Sequence, residues 1–373
     1  MTVYNRKHIG VLSGKRGGFD AMLPMLRLLD DSSDFHLTMY LADMHNMEDT
    51  FGYVGSGHNE FNNSHIKRLL PLEEGDKPHI RARNICHYGR RLGLLMNEHR
   101  PDCLVLYGDR GETLSAAMVA CQMRVPIAHI QGGDTSGTTD NNMRHAITML
   151  SQWHFVSHQR AADRLADIGV AKRHVYIVGD SHIDPIVEGD HHDELYVREK
   201  LGLTQDKPVI ILLQHPDDPT KAGDDIWETI MALKQIRCHI VAVYPCSDPG
   251  YSEIVDALED RATLWSTVQV HKNLPGPMFR GLMNTADVLV GNSSCGVIEA
   301  PYYYLPTVNI GDRQKGRLQA PTHGMINCPP DRGQIEMAIL QALSTPLVDM
   351  THDHIYGKGK TGARIINMLG GLL

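Results

Sequence analysis

The residues best suited to move protons are three aspartates that follow two apolar runs of the sequence. Asp109 comes two positions after the end of the run 102–107, and Asp134 and Asp140 lie in the Gly-, Thr- and Ser-rich segment after the run 125–130. Carboxylates can act as general acids and bases, and repulsion between neighbouring carboxylates is expected to raise the pKa of at least one of them. The alternative is structural, because Asp109 and Asp140 can each cap the helix that follows.

A second group of polar residues has the features of a nucleotide-binding turn. The sequence GNSSCGVIEAP begins at Gly291, directly after the buried run 286–290. A helix start offers free N–H groups to a phosphate, glycine lets the backbone come close to a ligand, and an acidic residue one turn later can accept ribose hydroxyls. The candidate ligands are Asn292, Ser293, Ser294, Gly296 and Glu299. The alternative is that the polar residues only cap the helix.

Further cationic residues that can hold a diphosphate occur in three other segments. Arg16 follows the first predicted strand, and Arg313 and Arg317 belong to one polar loop that contains two glycines. His215 follows another apolar run, where it can donate a hydrogen bond to a diphosphate or act as an acid.

Most of these residues lie where an apolar run ends and a helix pattern begins. Strand and helix patterns alternate along the whole chain, which indicates parallel sheets with helices on both faces. Ligands bind such sheets at the carboxyl ends of the strands. We therefore predict an α/β protein of two Rossmann-like domains that face a cleft. Residues 1–184 form the domain with the acidic catalytic loops, and residues 185–373 form the nucleotide-binding domain.

Some local predictions concern the loops beside the predicted site. The first helix is predicted over 21–29, after a glycine-rich loop at 13–20. The segment 43–58, rich in Gly, His and Met, is predicted to be a loop. Helices are predicted over 334–342 and 362–369, near the end of the chain.

Charge and cysteine content disfavour several classes of protein. The formal net charge of −8, without a long basic run, disfavours a general nucleic-acid-binding protein. Seven scattered cysteines without a C-x-x-C pair disfavour a disulfide framework or a structural zinc site and fit a reducing cytoplasm. The sequence shows no signal peptide, membrane-spanning run or metal-binding motif, so we expect a cytoplasmic protein with no membrane partner and no metal.

Motifs in both halves of the chain resemble those of a known family. GNSS-x-G-x-x-EAP, followed by P-T-V-N-I-G-D-R-Q-x-G-R, is similar to the C-terminal half of the UDP-N-acetylglucosamine 2-epimerases, and most similar to their hydrolysing branch. In the first half, Arg16, Asp109 and the run R-H-A-I-T from Arg144 match the family. Three positions depart from it: Lys15 replaces a threonine, Asp134 a glutamate and Asn141 a second acid.

The resemblance implies a fold, a reaction and a set of site residues. It implies the glycosyltransferase-B architecture, with the last helix returning to the first domain, and a homodimer or homotetramer. The implied reaction converts a UDP-sugar or GDP-sugar (UDP-N-acetylglucosamine or a related acetamido sugar) and water into an N-acetylmannosamine-type sugar for sialic-acid-type biosynthesis, without a cofactor. The catalytic residues would be Asp109, Asp134, Asp140 and His215. The ligands of the sugar nucleotide would be Arg16, Arg144, Asn292, Ser293, Ser294, Gly296, Glu299, Arg313 and Arg317.

Other functions are compatible with parts of this pattern. A glycosyltransferase of the same fold would also hold a sugar nucleotide, but it has no reason to carry the acid-rich loop 134–140. A non-hydrolysing 2-epimerase would leave the nucleotide on the sugar. A non-catalytic sensor of sugar nucleotides would account for the departures at Asp134 and Asn141.

Overall fold

The computed structural model of the protein describes residues 6–52, 61–262, 267–319, 324–344 and 354–373. Its strands are β1 (Lys7–Ser13), β2 (Phe35–Leu41), β3 (His65–Arg68), β4 (Cys103–Tyr107), β5 (Ile127–Ile130), β6 (Trp153–Val156), β7 (Val175–Ile177), β8 (Val209–Leu213), β9 (His239–Val243), β10 (Val268–His271), β11 (Val288–Gly291), β12 (Thr307–Ile310) and β13 (Met325–Cys328). Its α-helices are α1 (Arg16–Asp30), α2 (Glu48–Phe51), α3 (Pro78–Glu98), α4 (Gly111–Gln122), α5 (Asp140–Leu150), α6 (Gln159–Asp167), α7 (Ile183–Val187), α8 (Glu194–Leu201), α9 (Ala222–Leu233), α10 (Tyr251–Ala262), α11 (Gly276–Thr285), α12 (Cys295–Ile298), α13 (Arg332–Ser344) and α14 (Thr361–Leu372).

Each half of the chain is built on one parallel sheet. The first sheet has the strand order β3-β2-β1-β4-β5-β6-β7, and the second has the order β10-β9-β8-β11-β12-β13. The predicted α/β class with two Rossmann-like domains is therefore confirmed. Strands such as β4 (CLVLY) and β8 (VIILL) are buried along their whole length, because helices cover both faces of each sheet.

The strand order reverses at one point in each sheet, between β1 and β4 in the first and between β8 and β11 in the second. Loops after such strand pairs leave the sheet in opposite directions and open a crevice between them. Lys15, Asp109, His215 and Ser293 follow these four strands. The topology thus brings residues from distant parts of the sequence to facing edges of the two sheets.

The last helix, α14, packs on the first domain. Ile365 and Leu369 of α14 are fully buried in the core of the first sheet. The Asp184 carboxylate accepts hydrogen bonds from the backbone N–H groups of Thr361 and Gly362, each at 2.8 Å. A Cβ at Gly362 would lie 2.9 Å from the backbone nitrogen of Met25, so glycine allows α14 to approach α1 closely. The chain therefore crosses between the domains twice, and Asp184 ties the two crossings together.

Two local predictions differ from the structure. Helix α1 begins at Arg16 instead of residue 21, so the glycines at 17 and 18 belong to its first turn. The predicted loop after residue 42 contains a 3-10 helix, Asp43–Asn46, and the short helix α2. Met44 and Phe51 of this segment pack against Tyr244 and Tyr251 of the second domain, and this burial favours helix over loop. Residues 53–58 of the predicted loop lie outside the described residues.

Two further findings concern membranes and cysteines. Within the described ranges, none of the helices combines the length and apolarity required to cross a membrane. All seven cysteines have free thiols.

Candidate active site

Most of the predicted site residues line the cleft between the two domains. Its walls come from the loops after β1, β4, β8 and β11 and from the polar loop that follows β12. Of the predicted site residues, Arg16, Asp109, His215, Ser293, Ser294, Glu299, Arg313 and Arg317 line it. Lys15, Asp20, Tyr107, Gln131, His182 and Arg280 line it as well.

The middle of the cleft carries an excess of positive charge. Burial and the neighbouring Arg110 lower the pKa of Lys15 to about 8. Burial also lowers the pKa of Arg313, and Arg110 and Arg317 beside it add to this effect. Cations that lower one another's pKa are stabilised by an anion, so this part of the cleft favours a diphosphate.

His215 can donate a hydrogen bond into the cleft but is a poor acid. Its Nδ1 accepts a hydrogen bond from the backbone N–H of Cys246 at 3.1 Å. Burial, followed by Arg313 and Arg16, holds the pKa of His215 well below its ordinary value. The ring is therefore neutral and carries its proton on Nε2. Of the two predicted roles, the structure favours hydrogen-bond donation and disfavours acid catalysis.

Asp109 lies on the cleft between two cations. Its carboxylate is 3.9 Å from the Lys15 Nζ and forms an ion pair with Arg144. Arg144 is only 2% exposed, lies behind the cleft wall, and also donates a hydrogen bond to the backbone oxygen of Asp134 at 3.0 Å. The guanidinium of Arg144 therefore positions Asp109 and the backbone of Asp134, and its binding of the sugar nucleotide stays a prediction.

Asp134 is buried behind the cleft and stays ionised. It is 2% exposed, accepts hydrogen bonds from Arg317 and from the N–H of Thr135 at 3.0 Å, and lies 3.7 Å from the His158 Nε2. Burial alone would raise its pKa, but Arg317 and His158 hold that pKa below its ordinary value. Asp134 is therefore not the aspartate whose pKa carboxylate repulsion raises, because the cations beside it favour its ionised form.

Asp140 is the first residue of α5 and is half-buried. It lies close enough to interact electrostatically with Lys15, Arg110 and Arg313. It therefore faces the cationic part of the cleft, but it does not line the cleft itself.

Two of the predicted nucleotide ligands, Asn292 and Gly296, contact other residues of the site and do not line the cleft. The Asn292 amide oxygen accepts from the His215 N–H at 2.7 Å, and its amide nitrogen donates to the His215 oxygen at 3.0 Å. Asn292 thus fixes the backbone of His215. A Cβ at Gly296 would lie 2.7 Å from Cγ2 of Thr307, so this glycine serves the packing of α12 on β12. Direct contact of either residue with the nucleotide stays a prediction.

Ser293, Ser294 and Glu299 face the cleft as predicted. Ser294 is the N-cap residue of α12, yet its side chain forms no capping hydrogen bond, so capping does not explain this serine. Burial raises the pKa of Glu299 above its ordinary value, and His182 counters part of this shift. The two hydroxyls and the carboxylate thus lie together at the second-domain wall of the cleft.

Hydrogen bonds and an ion pair connect the two domains around the cleft. Arg16 donates hydrogen bonds to the backbone oxygens of Tyr244 and of Lys272, the latter at 2.7 Å. Arg110 of the first domain pairs with Asp248 of the second. The sequence pattern did not indicate Arg110 or Asp248, because nothing local marks an interdomain ion pair.

The next question is whether side chains in the described part of the chain could bind a metal ion. There, no three His, Cys, Asp or Glu side chains come together in a way that could hold a metal ion. The cationic side chains of the cleft could neutralise a diphosphate in place of a metal.

The chain matches a known family along most of its length. The family model described as UDP-N-acetylglucosamine 2-epimerase matches residues 27–370. The chain belongs to this family. The motifs quoted from the sequence, GNSS-x-G-x-x-EAP and R-H-A-I-T, lie within the matched residues, so the resemblance to this family is confirmed.

Individual relatives and solved structures agree with this assignment. UDP-N,N'-diacetylbacillosamine 2-epimerase (hydrolyzing) of Legionella pneumophila is 28% identical over 363 residues, which cover 96% of this chain and 94% of the relative. GDP/UDP-N,N'-diacetylbacillosamine 2-epimerase (hydrolyzing) of Campylobacter jejuni is 30% identical over 227 residues, 59% of each chain. The crystal structure of Methanocaldococcus jannaschii UDP-GlcNAc 2-epimerase in complex with UDP-GlcNAc and UDP aligns with a TM-score of 0.82 at 17% identity, over 98% of this chain and 99% of that chain. The last similarity shows a common fold.

Proposed function

We propose that this protein is a hydrolysing sugar-nucleotide 2-epimerase. Its substrate is UDP-N-acetylglucosamine or a related UDP- or GDP-linked acetamido sugar, and its products are an N-acetylmannosamine-type sugar and the nucleoside diphosphate. The observation that carries the proposal is the cationic centre of the cleft, which has Asp109 on one side and Ser293, Ser294 and Glu299 on the other. Family membership and the hydrolysing relatives support it.

The two walls of the cleft bind different parts of the sugar nucleotide. Glu299 accepts hydrogen bonds from the ribose hydroxyls, and Ser293 and Ser294 donate to the phosphates. Arg313 and the Nε2–H of His215 bind the diphosphate from the second domain, and Lys15 binds it from the first. The sugar then lies against Asp109, at the carboxyl end of β4.

The proposed reaction has two steps. In the first, Asp109 takes the proton from C2 while the bond between C1 and the diphosphate oxygen breaks, and the double bond between C1 and C2 forms. In the second, water adds its hydroxyl to C1 and gives up its remaining proton, a proton from the solvent adds to C2 on the opposite face, and Asp109 releases the proton that it took to the solvent. Asp109 qualifies as the base because its carboxylate lines the cleft and pairs with Arg144 and Lys15, which favour the ionised form.

The proposal extends to more than one sugar and to two nucleobases, uracil and guanine. Lys15, Asp134 and Asn141 depart from the family pattern, and all three belong to the first domain, on the sugar side. The two relatives named above act, by their names, on a diacetamido sugar. We therefore include a diacetamido-trideoxy sugar among the candidate substrates, on UDP and on GDP.

The test is incubation with UDP-N-acetylglucosamine and with the UDP- and GDP-linked diacetamido sugars, without any acceptor. Chromatography follows the nucleoside diphosphate, and NMR follows the sugar. We expect free nucleoside diphosphate and a C2-inverted free sugar, with deuterium at C2 when the solvent is heavy water. A non-hydrolysing epimerase would yield an epimer that keeps its nucleotide. A glycosyltransferase or a sensor would release no epimerised sugar.

The cellular location and the assembly are also proposals. We propose a cytoplasmic location, in keeping with the seven free thiols. We also propose a homodimer or homotetramer, as the family resemblance implies. Light scattering coupled to size-exclusion chromatography measures the mass directly, and a mass near 41.6 kDa would contradict the assembly.

A further inference from the structure

A carboxylate and a histidine form a dyad in the segment that joins the two domains. Asp180 is 1% exposed and accepts hydrogen bonds from the Gln131 amide at 2.5 Å and the Ser157 hydroxyl at 3.1 Å. It also accepts from the backbone N–H of His182 at 3.0 Å, and the Nδ1 of His182 lies 2.8 Å from the same carboxylate oxygen. Because a carboxylate accepts, this nitrogen carries a proton, and Asp180 sets the orientation of the ring.

The His182 ring lines the cleft at the junction of its two walls. Its Nδ1 is 3.1 Å from the Tyr107 hydroxyl of the first domain. Glu299, the candidate ribose ligand of the second domain, and Lys15, beside Asp109, both interact with it electrostatically. A diphosphate that connects a ribose at Glu299 with a sugar at Asp109 must pass this junction.

The charges around His182 favour its protonated form. The titratable groups that face it are Asp180, Tyr107, Glu299, Asp20 and Lys15. Burial alone would lower the pKa of His182, but Asp180 and Glu299 raise it above its ordinary value. The neighbouring cations act in the opposite direction on His215, so the environments of the two cleft histidines shift their pKa values apart.

We propose that His182 is the general acid of this site and that Asp180 positions it. This inference rests on the proposed function. As the bond between C1 and the diphosphate oxygen breaks, its electron pair stays on that oxygen, and the Nε2 of His182 gives its proton to the oxygen and becomes neutral. In the second step the neutral ring takes a proton from the water whose hydroxyl adds to C1. The ring thus returns to its starting state after each turnover.

The decisive variant is His182→Gln, because a glutamine amide can reach the Nε2 position and donate a hydrogen bond but cannot transfer a proton. We expect kcat to fall by about 10²–10⁴-fold, the usual contribution of a positioned acid, with KM changed by less than about threefold. We also expect the fall of kcat/KM on the alkaline side of the wild-type pH profile to disappear. A kcat within tenfold of the wild type, or a loss confined to UDP affinity, would refute the acid role.

Two further proteins make the test specific. His192→Gln is the matched control, since His192 stacks on Tyr196 at 4.3 Å and does not line the cleft. We expect it to keep wild-type kcat and pH profile. In Asp180→Asn, an NMR titration of the ring should show a lower pKa for His182, and an unchanged pKa would refute the positioning role. If the wild-type protein releases no nucleoside diphosphate, the proposed function itself is refuted. This outcome differs from a refutation of the acid role of His182, which requires an active wild-type protein.

Discussion

The variant Asp109→Asn distinguishes the proposed role of Asp109 as a catalytic base from its structural role as the ion-pair partner of Arg144. The asparagine keeps the size of the side chain and can still accept a hydrogen bond from Arg144, but it cannot take a proton. Loss of a positioned base costs about 10²–10⁴-fold in kcat, which at about 1.36 kcal/mol per decade corresponds to roughly 2.7–5.5 kcal/mol in the activation barrier. Removing one partner of a buried ion pair costs about 3–5 kcal/mol of stability. The retained hydrogen bond should reduce this to about 1–3 kcal/mol.

The assay combines nucleotide release, UDP binding by calorimetry and urea unfolding. We expect a large loss of kcat, UDP affinity within about threefold of the wild type, and the moderate loss of stability given above. Asp30→Asn is the matched control, because Asp30 is a buried carboxylate that accepts from the backbone of Asn62 and Asn63, away from the cleft. It should lose stability and keep kcat. An Asp109→Asn protein with more than a tenth of wild-type kcat would show that Asp109 is not the base.

The remaining predictions concern binding, packing, acid stability and metals. Glu299→Ala should raise KM more than it lowers kcat, and a pure loss of kcat would contradict ribose binding. Gly296→Ala should lower the free energy of unfolding by about 1–3 kcal/mol in a urea titration, because its methyl group overlaps Thr307, and a neutral result would contradict the packing role. The lowered pKa of Asp134 means that its pair with Arg317 stabilises the fold above the unfolded pKa of 3.8 and that this contribution is lost as the pH falls through the folded value. Asp134→Asn should therefore flatten the loss of stability below about pH 4, and an unchanged acid unfolding curve would argue against it. Activity should survive a metal chelator, and full loss that one divalent ion restores would overturn this expectation.

Much of the fold was predictable because its signals are local. Buried parallel strands are short apolar runs, and the residues that end them mark one edge of each sheet. This reasoning placed Asp109, His215 and Ser293 at strand ends that the structure brings to one cleft. It missed the short strands β3, β6 and β13 and the helix α10, and it misread the segment after residue 42, whose apolar residues pack on the other domain.

The sequence by itself determined the class of the fold, the family motifs and the strand ends that carry the site. Only the tertiary structure decided which of those side chains face the cleft. Asp134 is held behind it by Arg317, 183 positions away, and Arg144 is occupied by Asp109. The sequence did not predict Asp180 and His182 as site residues. Their partners Gln131, Ser157 and Tyr107 come close to them only after folding. The orientation and charge of a polar side chain depend on partners from distant elements, and no local pattern records these partners.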